Sequence, residues 1–195
     1  MALSRYGYAE GVADFIARIE NDKKYSFRLV NELFDNFSAD KAELASMVFE
    51  KCEEYMKINV IKAISDYCLF EFEPMYIEGM SSKNPAMRIA CVKALGDLAN
   101  PENEQLLITA THDKDWVVRS SAVKGLGKIN TPKALEGIKE AIKDKEWWVR
   151  QSAAGALINR NVSISDIEDI LGGYDKYAAD AVKYALYRSV DIKEG

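Results

Sequence analysis

The chain has 195 residues, 48% of them hydrophobic and 29% charged, with a formal net charge of -5. That composition excludes a disordered or fibrous chain, and the acid excess weighs against nonspecific nucleic-acid binding, which draws on Lys and Arg to neutralise phosphates. A chain of this length folded as one unit buries about 70% of its unfolded surface, enough for a substantial core.

The N-terminus, MALSRYGYAEG, has no apolar stretch of signal-peptide length, and no apolar run is long enough to span a bilayer. A cytoplasmic protein is the resulting expectation. Cys52, Cys68 and Cys91 form no CxxC pair and sit among apolar neighbours. They are expected to be buried free thiols in a reducing compartment.

Six helix pairs are predicted in chain order, near residues 5–37, 38–68, 69–99, 100–130, 131–160 and 161–190, as one continuous domain over 1–195. The first is weakly patterned, and its SFRLVNEL keeps only Leu29, Val30 and Leu33. Ser38 opens the second. Its KINVIKAI starts a series in which Lys57, Arg88, Arg119 and Arg150 are spaced by 31 residues. The later segments are RIACVKAL, RSSAVKGL and RQSAAGAL. Apolar residues fall three, four and seven positions after each basic residue: Val60, Ile61 and Ile64; Cys91, Val92 and Leu95; Ala122, Val123 and Leu126; Ala153, Ala154 and Leu157. That is one face of a helix.

In the third pair, Pro74 lies in the first turns. The fourth and fifth repeat their first halves too, since NPENEQLLITATHDKDW (100–116) aligns without a gap on TPKALEGIKEAIKDKEW (131–147). Asn100 and Thr131 are predicted N-caps, with Pro101 and Pro132 at the first helical position. Leu107, Ala110, Ile138, Ala141 and Ile142 then mark a second buried face. In the sixth pair Gly172–Gly173 stops the first helix, Ala179 replaces the arginine and Lys183 takes a core slot. The degenerate first and last pairs suit caps, which must cover a stack and meet water. No strand pattern appears. The fold class is all-α, and helix pairs that cannot bury their apolar faces alone must stack as a solenoid.

The block 83–160 resembles HEAT repeats of the short, 31-residue type known from phycobilin lyases. DKDWVVRSSAVKGLGKI and DKEWWVRQSAAGALINR carry the resemblance. It implies an armadillo-like, right-handed superhelix of antiparallel helix pairs, with the first helix of each pair on the convex side and the second on the concave side. It also implies a structural role for the column Arg88, Arg119 and Arg150, stacked between repeats and bonded to turn carboxylates. Asp113, Asp115, Asp144 and Glu146 are the partners placed to serve.

Lys62, Lys93 and Lys124 form a second column spaced by 31, whose fourth member is Gly155. On a concave face this stripe would seat an acidic segment of a partner. The alternative is a solvated face with local pairs from Lys62 to Asp66 and from Lys93 to Asp97. At Lys124 the matching position is Lys128, which supplies no acid. Ile89, Ala90, Ser120, Ser121, Gln151, Ser152 and Asn159 complete a mixed surface around the three tryptophans. Trp116 and Trp147 share one repeat position and could pad the joint or contact a partner. Trp148 stands where the preceding repeat has Val117, so the repeat itself does not ask for it. The candidate contact set is Trp116, Trp147, Trp148, Gln151, Lys93, Lys124 and Lys128.

The single histidine, His112, and the lack of a Gly-rich phosphate loop, a Ser-His-Asp set or zinc spacing give no catalytic residues, no metal and no cofactor. HEAT-type deoxyhypusine hydroxylases need several His-Glu pairs for iron, and this chain has none. The expected function is a non-catalytic scaffold or regulatory adaptor that binds another protein or peptide segment on its concave face. Two alternatives remain: a nucleic-acid binder or HEAT-like DNA glycosylase using the same groove, and a lyase-like chromophore chaperone acting with a second subunit.

Overall fold

A computed structural model describes residues 2–19, 26–36, 41–65, 67, 70–160 and 162–191. Among them are twelve α-helices, two short 3-10 turns and no strand. Ser38, Asp66 and Cys68 lie outside the described residues. The chain divides into two compact units, residues 1–94 and 95–195.

The first unit holds α1 (Ala2–Ile19), α2 (Ser26–Asn36), α3 (Lys41–Lys51), α4 (Glu54–Ser65) and α5 (Glu73–Gly79). α1 packs along α3, and α2 along α4. Ala9, Ala13, Ile16, Val30, Phe34, Leu44, Ala45 and Val48 are buried there, together with Val60, Ile61 and Ile64 of the repeat pattern. α6 (Pro85–Leu98) begins in this unit. Its Cys91 thiol is buried so close to Gly79 that a Cβ on that glycine would stand 2.3 Å from the sulfur. Burial pushes the Cys91 thiol up to about 12.

The second unit holds α7 (Glu104–Ala110), α8 (Trp116–Leu126), α9 (Pro132–Ala141), α10 (Trp147–Asn159), α11 (Ile164–Leu171) and α12 (Lys176–Asp191). α7 packs against α8, α9 against α10, and α11 against α12. The second helices also lie side by side, α8 on α10 and α10 on α12. Small residues permit this. A Cβ on Gly125 of α8 would stand 2.9 Å from the Gly96 Cα, so two helix backbones touch there. Ala122, Val123, Leu126, Ala153, Ala154 and Leu157 are all fully buried, as the 31-residue pattern requires.

The helix starts obey their sequence signals, with one shift. Thr131 accepts from the Ala134 N–H at 3.1 Å and Ser163 forms a capping box with Asp166. Asn100 also caps, accepting from the Glu102 N–H, but it opens a 3-10 turn over Pro101–Asn103, and α7 starts only at Glu104. α11 ends at Leu171, before Gly172. On α12 one core slot of the repeat register, that of Lys183, is not used. Lys183 is exposed, and Ala178, Ala179, Ala181 and Val182 form the buried stripe. An ammonium group is too costly to bury without a partner, so Lys183 stays in solvent, while Ala178, Ala179 and Val182 keep the positions that Val149, Arg150 and Ala153 bury on α10.

Candidate interaction face

Two rows of side chains meet where the turns enter α8 and α10. The first is the arginine column. The Arg119 guanidinium grips the Asp144 carboxylate of the next repeat, with Nε donating to Oδ2 at 2.7 Å and a terminal nitrogen to Oδ1 at 2.9 Å. Its other nitrogen donates to the main-chain carbonyls of Asp113 and Lys114. Both charged side chains are nearly buried, at 7% and 11% exposure. Burial by itself would raise the Asp144 carboxyl. Hydrogen bonds from Arg119 and the Glu146 N–H outweigh that and hold it below its ordinary value.

Of the four acids expected to serve the arginines, only Asp144 gives its side chain to Arg119 in this network. Asp115 instead caps α8, accepting from the Val117 N–H at 2.8 Å. The Asp113 carboxylate accepts from the Asp115 N–H. Glu146 precedes α10 without a side-chain cap, and it acts on Arg119 through charge alone. Arg150 donates to the carbonyls of Asp144 and Lys145. Its expected fork is open, however. Asp175, 31 residues after Asp144, caps α12 through the Ala178 N–H, and the Arg150 guanidinium lies over the Tyr177 ring at 5.3 Å. Arg88 donates to the carbonyls of Ser82 and Lys83 in the first unit.

The second row is aromatic. Trp116, Trp147 and Trp148 are 39%, 46% and 58% exposed, so none of them is core. Trp147 and Trp148 meet edge to face with ring centroids 4.6 Å apart. Trp148 walls a groove of about 530 Å³ between α8 and α10. Lys124, Gly127, Lys128, Gln151, Ser152, Gly155, Ala156 and Asn159 complete its lining. Four members of the expected contact set therefore converge: Trp148, Gln151, Lys124 and Lys128. Trp116 and Trp147 lie outside this lining, and Lys93 is an exposed residue of the first unit.

The charges in the groove differ from a simple lysine stripe. Lys128 is paired to Asp97 at 2.6 Å, two residues that occupy one position in successive repeats. Lys124 has no partner among the described residues. Ala90 and Ser120, expected on the surface, are buried, and the Ser120 hydroxyl meets Ser152 Oγ at 2.7 Å. Gly155 is the residue whose part the spacing alone did not reveal. It sits in the middle of α10, and a Cβ there would meet nothing within 4 Å. Glycine inside a helix costs about 1 kcal/mol relative to alanine, and neither packing nor backbone conformation requires it at this position.

Paired helices, a 31-residue period and stacked second helices describe one repeat type, and residues 73–158, from α5 into α10, match the family of HEAT repeats. This segment is built of HEAT repeats. No curated protein sequence gives a significant match to the chain. Among solved structures, the chain is similar in fold to one from the complex of CpcE and CpcF of phycocyanin lyase from Nostoc sp. PCC7120. The TM-score is 0.53 at 18% identity, over 83% of this chain and 98% of that one. Human deoxyhypusine hydroxylase, in complex with glycerol, matches with a TM-score of 0.43 at 13% identity, over 92% of this chain and 96% of that one. No helix among the described residues is long and apolar enough to cross a membrane.

Proposed function

We propose that this protein is a non-catalytic scaffold or adaptor that holds a segment of another protein on the face formed by α8 and α10, within and beside its HEAT-repeat segment. The observation that carries the reading is Trp148. It is more than half exposed, it departs from the repeat pattern, and it forms a wall of the groove that also gathers Gln151, Lys124 and Lys128. A large ring beside a cleft, with polar groups around it, has the make-up of a binding hot spot. The stacked helices supply rigidity, since the Arg119–Asp144 fork and the Gly96–Gly125 contact fix α8 against its neighbours. A preorganised surface loses little freedom on binding.

The structure of a partner-bearing lyase complex is a fold likeness only, yet it fits a protein partner on such a scaffold. The test is affinity capture from the native host with the wild-type chain and with Trp148→Ala, followed by mass spectrometry. A protein retained by the first and lost by the second supports the reading. Identical sets of captured proteins count against it.

A further inference from the structure

We infer that the groove between α8 and α10 accepts an acidic, extended peptide segment, with a carboxylate on Lys124 and the peptide backbone passing over Gly155. The inference rests on the scaffold reading and names the class of ligand within it.

Three independent features lead to one occupant. The first is charge. The only ionisable residues in the lining are Lys124 and Lys128. Lys128 is held by Asp97, and Lys124 offers an exposed ammonium group without a partner among the described residues. An ammonium at the edge of a cleft favours a carboxylate, and partial removal of water strengthens the bond.

Gly155 is the second feature. The lysine column of the repeats reaches this position, where the groove lining has a glycine instead. Glycine is a poor helix former, and its Cβ site is empty space. A helix that keeps glycine where a side chain would fit leaves room for another backbone to approach. The third feature is that Trp148, Gln151 and Asn159 line the same groove. The indole can cover an apolar side chain of the segment, while the two amides can both donate to and accept from its backbone. A groove of about 530 Å³ suits a few residues of extended chain rather than a folded domain.

The experiment selects a phage-displayed library of random peptides on the full chain. Winning peptides are then made with a fluorescein label and titrated by anisotropy against wild type, Lys124→Glu, Gly155→Leu and Trp148→Ala. Circular dichroism checks that each variant folds, and Lys124→Glu, at an exposed position, serves if the leucine variant does not. Enrichment of Asp and Glu, with affinity lost by about tenfold or more in Lys124→Glu and Gly155→Leu, supports the proposal. Peptides without acid enrichment, peptides indifferent to both substitutions, or no selected peptide at all overturn it. So does a labelled single-stranded oligonucleotide that binds through Lys124 in place of the peptides. Host capture that still depends on Trp148 but ignores Lys124 and Gly155 would remove this inference alone. Capture indifferent to Trp148 would remove the scaffold reading beneath it.

Discussion

Arg119 and Asp144 form a two-point fork across one repeat step, with donor distances of 2.7 and 2.9 Å and both side chains nearly buried. The same aspartate accepts from the Glu146 N–H at 2.8 Å, so one carboxylate orders a turn and ties it to the preceding repeat. Removing it leaves a buried guanidinium uncompensated. Asp144→Ala is expected to cost about 3 kcal/mol of stability, measured by urea unfolding.

The fork also fixes a pH response. The Asp144 carboxyl is lowered in the folded chain, because the bonds from Arg119 and Glu146 overcome the opposing effect of burial. A lowered folded value means that its stabilisation is complete above the unfolded value of about 3.9 and is lost as pH falls below it toward the folded value. The urea midpoint of the wild type should therefore drop between about pH 5 and pH 3 by more than that of Asp144→Asn. Equal drops would show that the fork does not contribute to acid sensitivity.

Ala99, directly after α6, has a φ of 51° and is the one non-glycine residue with positive φ among those described. An alanine methyl is strained in the left-handed region, and helices often end there on glycine. Ala99→Gly should relieve that strain, less the freedom glycine gains when unfolded. A net gain of about 0.5 kcal/mol is expected, seen as a thermal midpoint raised by roughly 1–2 °C. A lowered midpoint would contradict the strain.

The Cys91 thiol, raised to about 12 by burial, stays protonated at neutral pH. Because the thiolate is the reactive form, iodoacetamide at about pH 8 should leave Cys91 unmodified in the native chain and label it in urea. Peptide mapping by mass spectrometry reads this residue separately from Cys52 and Cys68. Rapid native labelling of Cys91 would mean that α6 opens.

Much of the helical frame was legible because burial leaves a periodic trace. Every apolar residue that the 31-residue spacing singled out on α8 and α10 is buried, and α11 ends at Leu171, at the Gly172–Gly173 stop. Side-chain pairing was less legible, because spacing fixes which residues share a repeat position but not which way a carboxylate turns. Asp144 looks to the arginine of the preceding repeat, Asp115 caps its own helix, and Lys128 reaches Asp97 one repeat back. α12 shows the limit of a register argument, since Val182 keeps its buried slot while Lys183, in the next one, stays in solvent because an ammonium group is costly to bury. The groove was half legible. Trp148 announced itself by breaking the repeat, while Gly155 looked like a mere gap in the lysine column until its empty surroundings were seen.

Trp148→Ala, read for stability and for partner binding in the same preparation, tests the central claim most directly. The indole is 58% exposed, so urea unfolding should change by no more than about 1 kcal/mol. Affinity for the captured partner should fall by about tenfold or more. Stability lowered by several kcal/mol, or affinity left intact, would contradict a contact role for this tryptophan and with it the interaction face of α8 and α10.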